Sequence, residues 1–305
     1  MRAVPSVAAN GLTFDYESFG DDGAEPCLLV SGLGVQMIRW AVPFCRALAA
    51  EGYRVIRFDN RDVGLSTHLD GASVPNLAAV AAAVARGERP VVPYTLDDMA
   101  ADLVGLLDAQ GIERTHLVGR SMGGMIAQLA ASRWPHRVLS LASIMSSSGN
   151  PALPSATPAV LTMLQKPVPS PTEDEAAFLA QSLAFARAIA SPGYRFDDDA
   201  YRRQILAEAA RAWNPAGAGR QIAALAATGD CRERLGAIAA ATLVIHGADD
   251  PLIPMAAGQD VAAHIGGADL RIIEGMGHDL PPELFVTVIS AIVGNARRRP
   301  LGSEC

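Results

Sequence analysis

Apolar positions along the chain fall into two alternating kinds of stretch. Short runs that are apolar on both faces recur: Cys27-Leu28-Leu29-Val30, Tyr53 to Asp59, Ile112 to Val118, Arg137 to Met145, Ala241 to Gly247 and Asp269 to Glu274. Such runs read as strands covered on two sides, the pattern of a parallel sheet. Between them lie segments with helical spacing at about 39–51, 122–132, 255–265 and 282–296. Another helix opens at Thr95 as N-cap and places Met99, Leu103, Leu106 and Leu107 on one face. Residues 4–19 differ: they alternate loosely around Asn10-Gly11, a pair that predicts a β-hairpin.

The strand–helix alternation stops between 147 and 236. That stretch carries loop prolines (Pro151, Pro154, Pro158, Pro167, Pro169, Pro171), helical patterns near 173–190, 198–212 and 218–227, and no strand signal. A shorter excursion at 69–93, bounded by prolines, holds an Ala-rich helix. The pattern therefore predicts one α/β core domain, mostly parallel, built from 1–146 and 237–305, with a helical cap or lid at 147–236.

Composition narrows the chemistry. Half of the 305 residues are apolar, enough for a sizeable core, and the net charge of −7 argues against a nucleic-acid surface. The one basic cluster, Arg297-Arg298-Arg299, is expected to fray in solvent. Lys166 is the only lysine and sits in a Pro-rich loop, which removes a P-loop, a Ser-x-x-Lys dyad and a Schiff base. Cys27, Cys45, Cys231 and Cys305 show no Cys-x-x-Cys spacing and read as free thiols of a reducing cytoplasm. The segment after Arg2 has no continuous apolar run before Asp15, so no signal peptide is expected, and no stretch has the apolar length of a membrane span. A cytoplasmic protein is expected.

Within this frame one stretch carries chemistry. Gly119-Arg120-Ser121-Met122-Gly123 joins a predicted strand to a predicted helix and matches the Gly-x-Ser-x-Gly nucleophile elbow, whose tight turn demands residues without bulk two before and two after the serine. A serine hydroxyl needs a base and a group that orients the base. Of the six histidines, His116 and His246 lie inside strands, His68 and His136 flank the sheet, and His264 ends a helix. His278, in the Gly-rich loop Gly275-Met276-Gly277-His278 after the last strand, falls at the same carboxyl edge of the sheet as Ser121. The acid is sought in the loop after the penultimate strand, which offers Asp249 and Asp250; Asp250 is preferred and Asp249 competes. A rival dinucleotide-binding reading of Gly32-Leu33-Gly34 with Asp59 fails because Met37 stands where the third glycine belongs. Asn60-Arg61-Asp62-Val63-Gly64-Leu65-Ser66 is read as a polar turn that ties down the loop beside the site.

On Ser31-Gly32-Leu33-Gly34, Phe58 to Ser66, the elbow, Gly247 to Pro254 and Gly275 to Pro281, the chain resembles the α/β-hydrolase-fold serine esterases. Over nearly its whole length it is similar to the aclacinomycin methylesterase group, with the macrolide esterases as further relatives. The resemblance implies a Ser121, Asp250, His278 triad and an oxyanion hole made by the N–H groups of Leu33 and Met122. Ser31 departs from the pattern, since many relatives carry histidine there. Arg120 is also unusual before the serine and is expected to anchor the elbow, with contact to substrate as the alternative. The implied reaction is ester hydrolysis through an acyl-enzyme, with no metal and no cofactor. Its substrate would be a small-molecule ester or lactone, with a bulky polyketide ester or macrolactone admitted by a pocket lined by Met37, Ile38, Trp40, Met163, Phe178 and Phe185. Carbon–carbon bond hydrolases and cofactor-free perhydrolases use the same triad. A non-enzymatic small-molecule receptor would use the same fold.

Overall fold

The computed structural model describes residues 5–298. Arg2, Arg299 and Cys305 lie outside them. Strands β1 (Ser6–Ala9) and β2 (Leu12–Phe19) form the predicted hairpin, with φ of 51° at Asn10 and 74° at Gly11. Positive φ at both turn residues is what an Asn-Gly pair tolerates and a two-residue hairpin requires. There follow β3 (Glu25–Val30), α1 (Val42–Ala50), β4 (Tyr53–Phe58), α2 (Leu77–Ala85), α3 (Leu96–Ala109), β5 (Thr115–Arg120), α4 (Met122–Arg133) and β6 (Val138–Ile144). After the inserted segment come β7 (Ala241–Gly247), α10 (Ala256–His264), β8 (Asp269–Ile273) and α11 (Phe285–Ala296).

The strands form one eight-stranded sheet in the order β1-β2-β4-β3-β5-β6-β7-β8. Pairing is antiparallel through β2 and β4 and parallel from there to β8. Side chains alternate across it. Leu28, Val30, Ile56, Phe58 and Leu117 pack with Leu103, Leu106, Ile126 and Leu129 of α3 and α4. Cys27, Leu29, Val55 and Val118 pack with Phe44 and Leu48 of α1 and with Val288 and Ile292 of α11. Both faces are thus covered, which is why the central strands read as continuous apolar runs. Thr95 caps α3 in a reciprocal box with Asp98.

Between β6 and β7 the described residues contain helices only: α5 (Pro158–Leu164), α6 (Glu175–Ile189), α7 (Asp198–Arg211), α8 (Pro215–Thr228) and α9 (Arg232–Leu235). Two of these escape the periodicity. In α5, Pro158 stands in the first turn, where proline is tolerated, so a residue that reads as a loop marker in fact starts a helix. The single-turn α9 is too short to show a period. Ile112 to Arg114, read as strand, precede β5 as an irregular link with a bend at Glu113. Arg298 is not free at the chain end, since Nη2 donates to the Gly267 carbonyl at 2.8 Å. Cys27, Cys45 and Cys231 are buried free thiols, and burial raises the Cys45 and Cys231 pKa to about 11. No helix among the described residues is long and apolar enough to cross a membrane.

Candidate active site

β5 and α4 meet at Ser121, whose φ is 54° and ψ −130°. A left-handed conformation at a residue with a Cβ costs roughly 1–3 kcal/mol and persists only where the surroundings impose it. They do so here: the Ser121 N–H donates to Ile144 O at 2.9 Å, and its carbonyl accepts from Gly124 N–H at 2.9 Å and from the Ser146 hydroxyl at 2.8 Å. A Cβ on Gly119 would stand 2.2 Å from the Gly123 carbonyl oxygen, and one on Gly123 would stand 2.3 Å from that of Val30. Both glycines are therefore dictated by close backbone approach.

The loop after β8 turns at Gly275 (φ 73°) and brings His278 over the serine. His278 Nε2 lies 3.1 Å from Ser121 Oγ, and Nδ1 lies 2.7 Å from Asp250 Oδ2. The other Asp250 oxygen accepts the Leu252 and Ile253 N–H groups at 2.9 and 2.8 Å. Asp249 is exposed and its Oδ2 accepts the Gly275 N–H at 2.9 Å. Of the two carboxylates offered by the loop, it is Asp250 that meets the histidine. The His278 loop is held mainly by the inserted segment: His278 N–H donates to Ile189 O at 2.7 Å, Gly277 N–H to Ser191 Oγ at 2.9 Å, and Gly193 N–H to Gly275 O at 2.9 Å. Asp279 completes the clasp, accepting the Ser191 N–H at 2.8 Å and the Tyr201 hydroxyl at 2.5 Å. His246 stands behind Asp250 with Nε2 2.8 Å from Ile253 O, and burial holds its pKa below the ordinary value.

The 31–34 loop lies against the serine, since a Cβ on Gly32 would be 3.1 Å from Ser121 Cβ. No protein acceptor among the described residues engages the N–H of Leu33 or Met122. The loop is fixed from below: Asn60 Nδ2 donates to Ser31 O at 2.9 Å, while Asp59 accepts Met37 N–H at 2.7 Å and Leu65 N–H at 3.0 Å. Burial raises the Asp59 pKa, opposed by Arg211 of α7, which donates to it at 2.5 Å. Gln221 of α8 accepts the Gly34 N–H at 2.8 Å, and its neighbour Arg220 forks onto Asp62. The polar turn after β4 thus ties down the loop, as its charged and amide residues predict.

Arg211, Arg220 and Gln221 were not singled out by sequence reasoning. For Arg220 and Gln221 the signal lies in α8, Pro-Ala-Gly-Ala-Gly-Arg-Gln-Ile-Ala-Ala-Leu-Ala-Ala-Thr, where a lone Arg-Gln pair interrupts mostly small residues; Arg211, the last residue of α7, carries no such local signal. Of the residues read as pocket lining, Met37, Trp40 and Phe178 are buried, and Ile38, Met163 and Phe185 are half-buried. Phe178 packs edge-on against Trp213 and joins Leu179 and Ile205 in a cluster of α6 and α7. Beside the Asp250 loop an open cavity of about 280 Å³ is lined by Ser147, Gly149, Leu153, Pro154, Leu252 and Ile253. No group of three or more His, Cys, Asp or Glu among the described residues is placed to hold a metal ion.

Residues 26–283 match the model of the alpha/beta hydrolase fold family. The chain is 28% identical over 324 residues to rhodomycin D methylesterase of Streptomyces peucetius, covering 95% of this chain and 97% of the relative. It is 32% identical over 266 residues to the 2-hydroxy-6-oxononadienedioate/2-hydroxy-6-oxononatrienedioate hydrolase of Paraburkholderia xenovorans, covering 84% and 81%. A solved hydrolase of Pseudomonas aeruginosa superposes with a TM-score of 0.69 at 25% identity, covering 97% of this chain and 99% of that one.

Proposed function

Since the chain belongs to the α/β-hydrolase fold family, we propose that it is a serine carboxylic-ester hydrolase working through a Ser121–His278–Asp250 triad and an acyl-enzyme. The observation that carries this reading is the continuous hydrogen-bonded path from Ser121 Oγ through both His278 nitrogens to Asp250. His278 Nε2 takes the hydroxyl proton as Oγ attacks the ester carbonyl carbon. The N–H groups of Leu33 and Met122 receive the oxyanion, each such donor being worth about 3 kcal/mol. His278 then protonates the departing alcohol, leaving Ser121 acylated. Water, deprotonated by the same nitrogen, releases the acid and restores the serine. Asp250 stays ionised and fixes the imidazole tautomer with Nδ1–H directed at it.

Residues 147–236 act as the cap over this site and select what reaches it. Likeness to a rhodomycin D methylesterase supports a methyl ester as substrate, and a bulky polyketide ester or macrolactone is the wider candidate class. A carbon–carbon bond hydrolase is the second reading, supported by 32% identity to the Paraburkholderia enzyme. Product mass spectrometry on a panel of natural-product esters, lactones and vinylogous diketones separates the two. Ester turnover that vanishes in a folded Ser121→Ala variant, with fluorophosphonate labelling of Ser121 in the native chain, is the expected result. Ester turnover surviving that substitution would overturn the proposal.

A further inference from the structure

Arg120 sits one residue before Ser121 at the end of β5, with its guanidinium carbon 4.7 Å from the centre of the Trp40 ring. Every other arginine among the described residues that is not exposed has a carboxylate partner. Arg39 holds Glu208, Arg57 holds Glu17, Arg61 holds Asp102, Arg211 holds Asp59 and Arg220 holds Asp62, and the same is true of the half-buried arginines farther from the site. Arg120 has none, and its Nη2 is shut off from water without a hydrogen-bond partner. The Trp40 indole Nε1 beneath it is likewise buried and unpartnered.

The nearby carboxylates are already taken. Arg39 grips both oxygens of Glu208 at 2.6 and 2.5 Å, and Asp279 is filled by Ser191 and Tyr201. Burial, reinforced by the like charge of Arg39, pushes the Arg120 pKa down to about 9, the mark of a cation lacking its counter-charge. A buried donor without an acceptor is costly, so two on packed neighbours, one of them the residue next to the proposed nucleophile, call for an acceptor group brought from outside.

We propose that Arg120 and the Trp40 N–H form a subsite for a carboxylate carried by the substrate, so that the preferred substrates are acidic esters or lactones. This rests on the reading of Ser121 as an esterase nucleophile. The carboxylate belongs to either the acyl or the alcohol half. A matched set of esters separates these sources: monomethyl glutarate against methyl valerate for the acyl half, and acetate esters of hydroxy acids against acetates of equally long simple alcohols for the other.

In one of the two arms the native chain is expected to favour the acidic member roughly ten- to hundredfold in kcat/KM, the range of one charge-assisted hydrogen-bond pair. Arg120→Met should bring that ratio to about one or below, with Arg120→Lys between, because an ammonium keeps the charge but not the planar fork. Trp40→Phe should lower the ratio less, and it carries the test if Arg120→Met does not fold. A ratio that favours neutral esters in both arms, or is unchanged in a folded Arg120→Met, overturns the subsite and leaves Arg120 as packing on Trp40. Calorimetric titration of Ser121→Ala with glutarate reads the subsite without any ester chemistry, and binding should vanish in Ser121→Ala/Arg120→Met. Glutarate binding that depends on Arg120, without ester turnover in the native chain, would keep the subsite and remove the esterase reading. Ester turnover with a flat ratio and no glutarate binding would do the reverse.

Discussion

Arg220 closes a fork onto Asp62 from 158 residues away, Nε to Oδ2 at 2.8 Å and Nη2 to Oδ1 at 2.7 Å, with both side chains almost wholly buried. The same carboxylate accepts the Tyr94 hydroxyl at 2.8 Å and the Leu69 N–H at 2.8 Å. Arg220→Met would leave a buried carboxylate without its cation and is expected to lower stability by about 3–5 kcal/mol. Asp62→Asn/Arg220→Met should recover part of that loss, measured by denaturant unfolding.

The same pair sets an acid response. Burial works to raise the Asp62 pKa, but the bonds from Arg220, Leu69 and Tyr94 more than offset it and the pKa ends below 3.8. The unfolded chain therefore binds that proton more readily than the folded one. The stabilisation is present above 3.8 and is lost as pH falls through the depressed folded value. In Asp62→Asn the corresponding part of the acid slope should disappear from a stability–pH curve.

Steady-state kinetics on an ester substrate tests the site. Ser121→Ala and His278→Ala should each lower kcat roughly 10⁴- to 10⁶-fold, and Asp250→Asn about 10⁴-fold, since the amide would favour the wrong tautomer. Asp249→Asn should stay within a few-fold of native, because its carboxylate faces the Gly275 N–H instead of the imidazole. Ser121→Gly should unfold at higher denaturant than Ser121→Ala by about 1 kcal/mol, because only glycine is unstrained at a φ of 54°.

Gly119→Ala places a methyl 2.2 Å from a carbonyl oxygen in the turn, with no flexible side chain to yield. The elbow must open, so the variant is expected to lose at least about 2 kcal/mol of stability and most of its fluorophosphonate labelling.

His246 gives a second pH signature. Its pKa is lowered chiefly by burial and further by His278, while the Ile253 carbonyl and Asp250 act in the opposite direction. A depressed histidine pKa means the unfolded chain binds the proton first, so stability falls as pH drops below 6.5, the ordinary value. His246→Gln should flatten the curve just below that point.

Much of this was legible in the residues. Strand positions followed from two-sided apolar runs, and the Asn10-Gly11 hairpin and the Thr95 cap followed from local backbone chemistry, which needs no tertiary context. The elbow was legible because close approach leaves glycine as the only occupant of 119 and 123. What stayed hidden depends on long-range pairing. Nothing local shows that Arg211 reaches Asp59, or that Ser191 caps the loop of His278, because those partners meet only once the inserted helices fold back over the sheet. Helix α5 was missed for the opposite reason, a local rule about proline that reads differently at a first turn than inside a loop.

The grip of residues 189–193 on the His278 loop limits how this enzyme can be diversified. Because His278, the proposed general base, takes its position from the backbone of Ile189 and Gly193 and from the Ser191 side chain, the inserted segment is not an interchangeable cassette. A chimera that replaced 147–236 wholesale with the segment of a relative would change the catalytic register along with the pocket. On the proposed cap reading, any exchange of this segment has to carry residues 189–193 over intact.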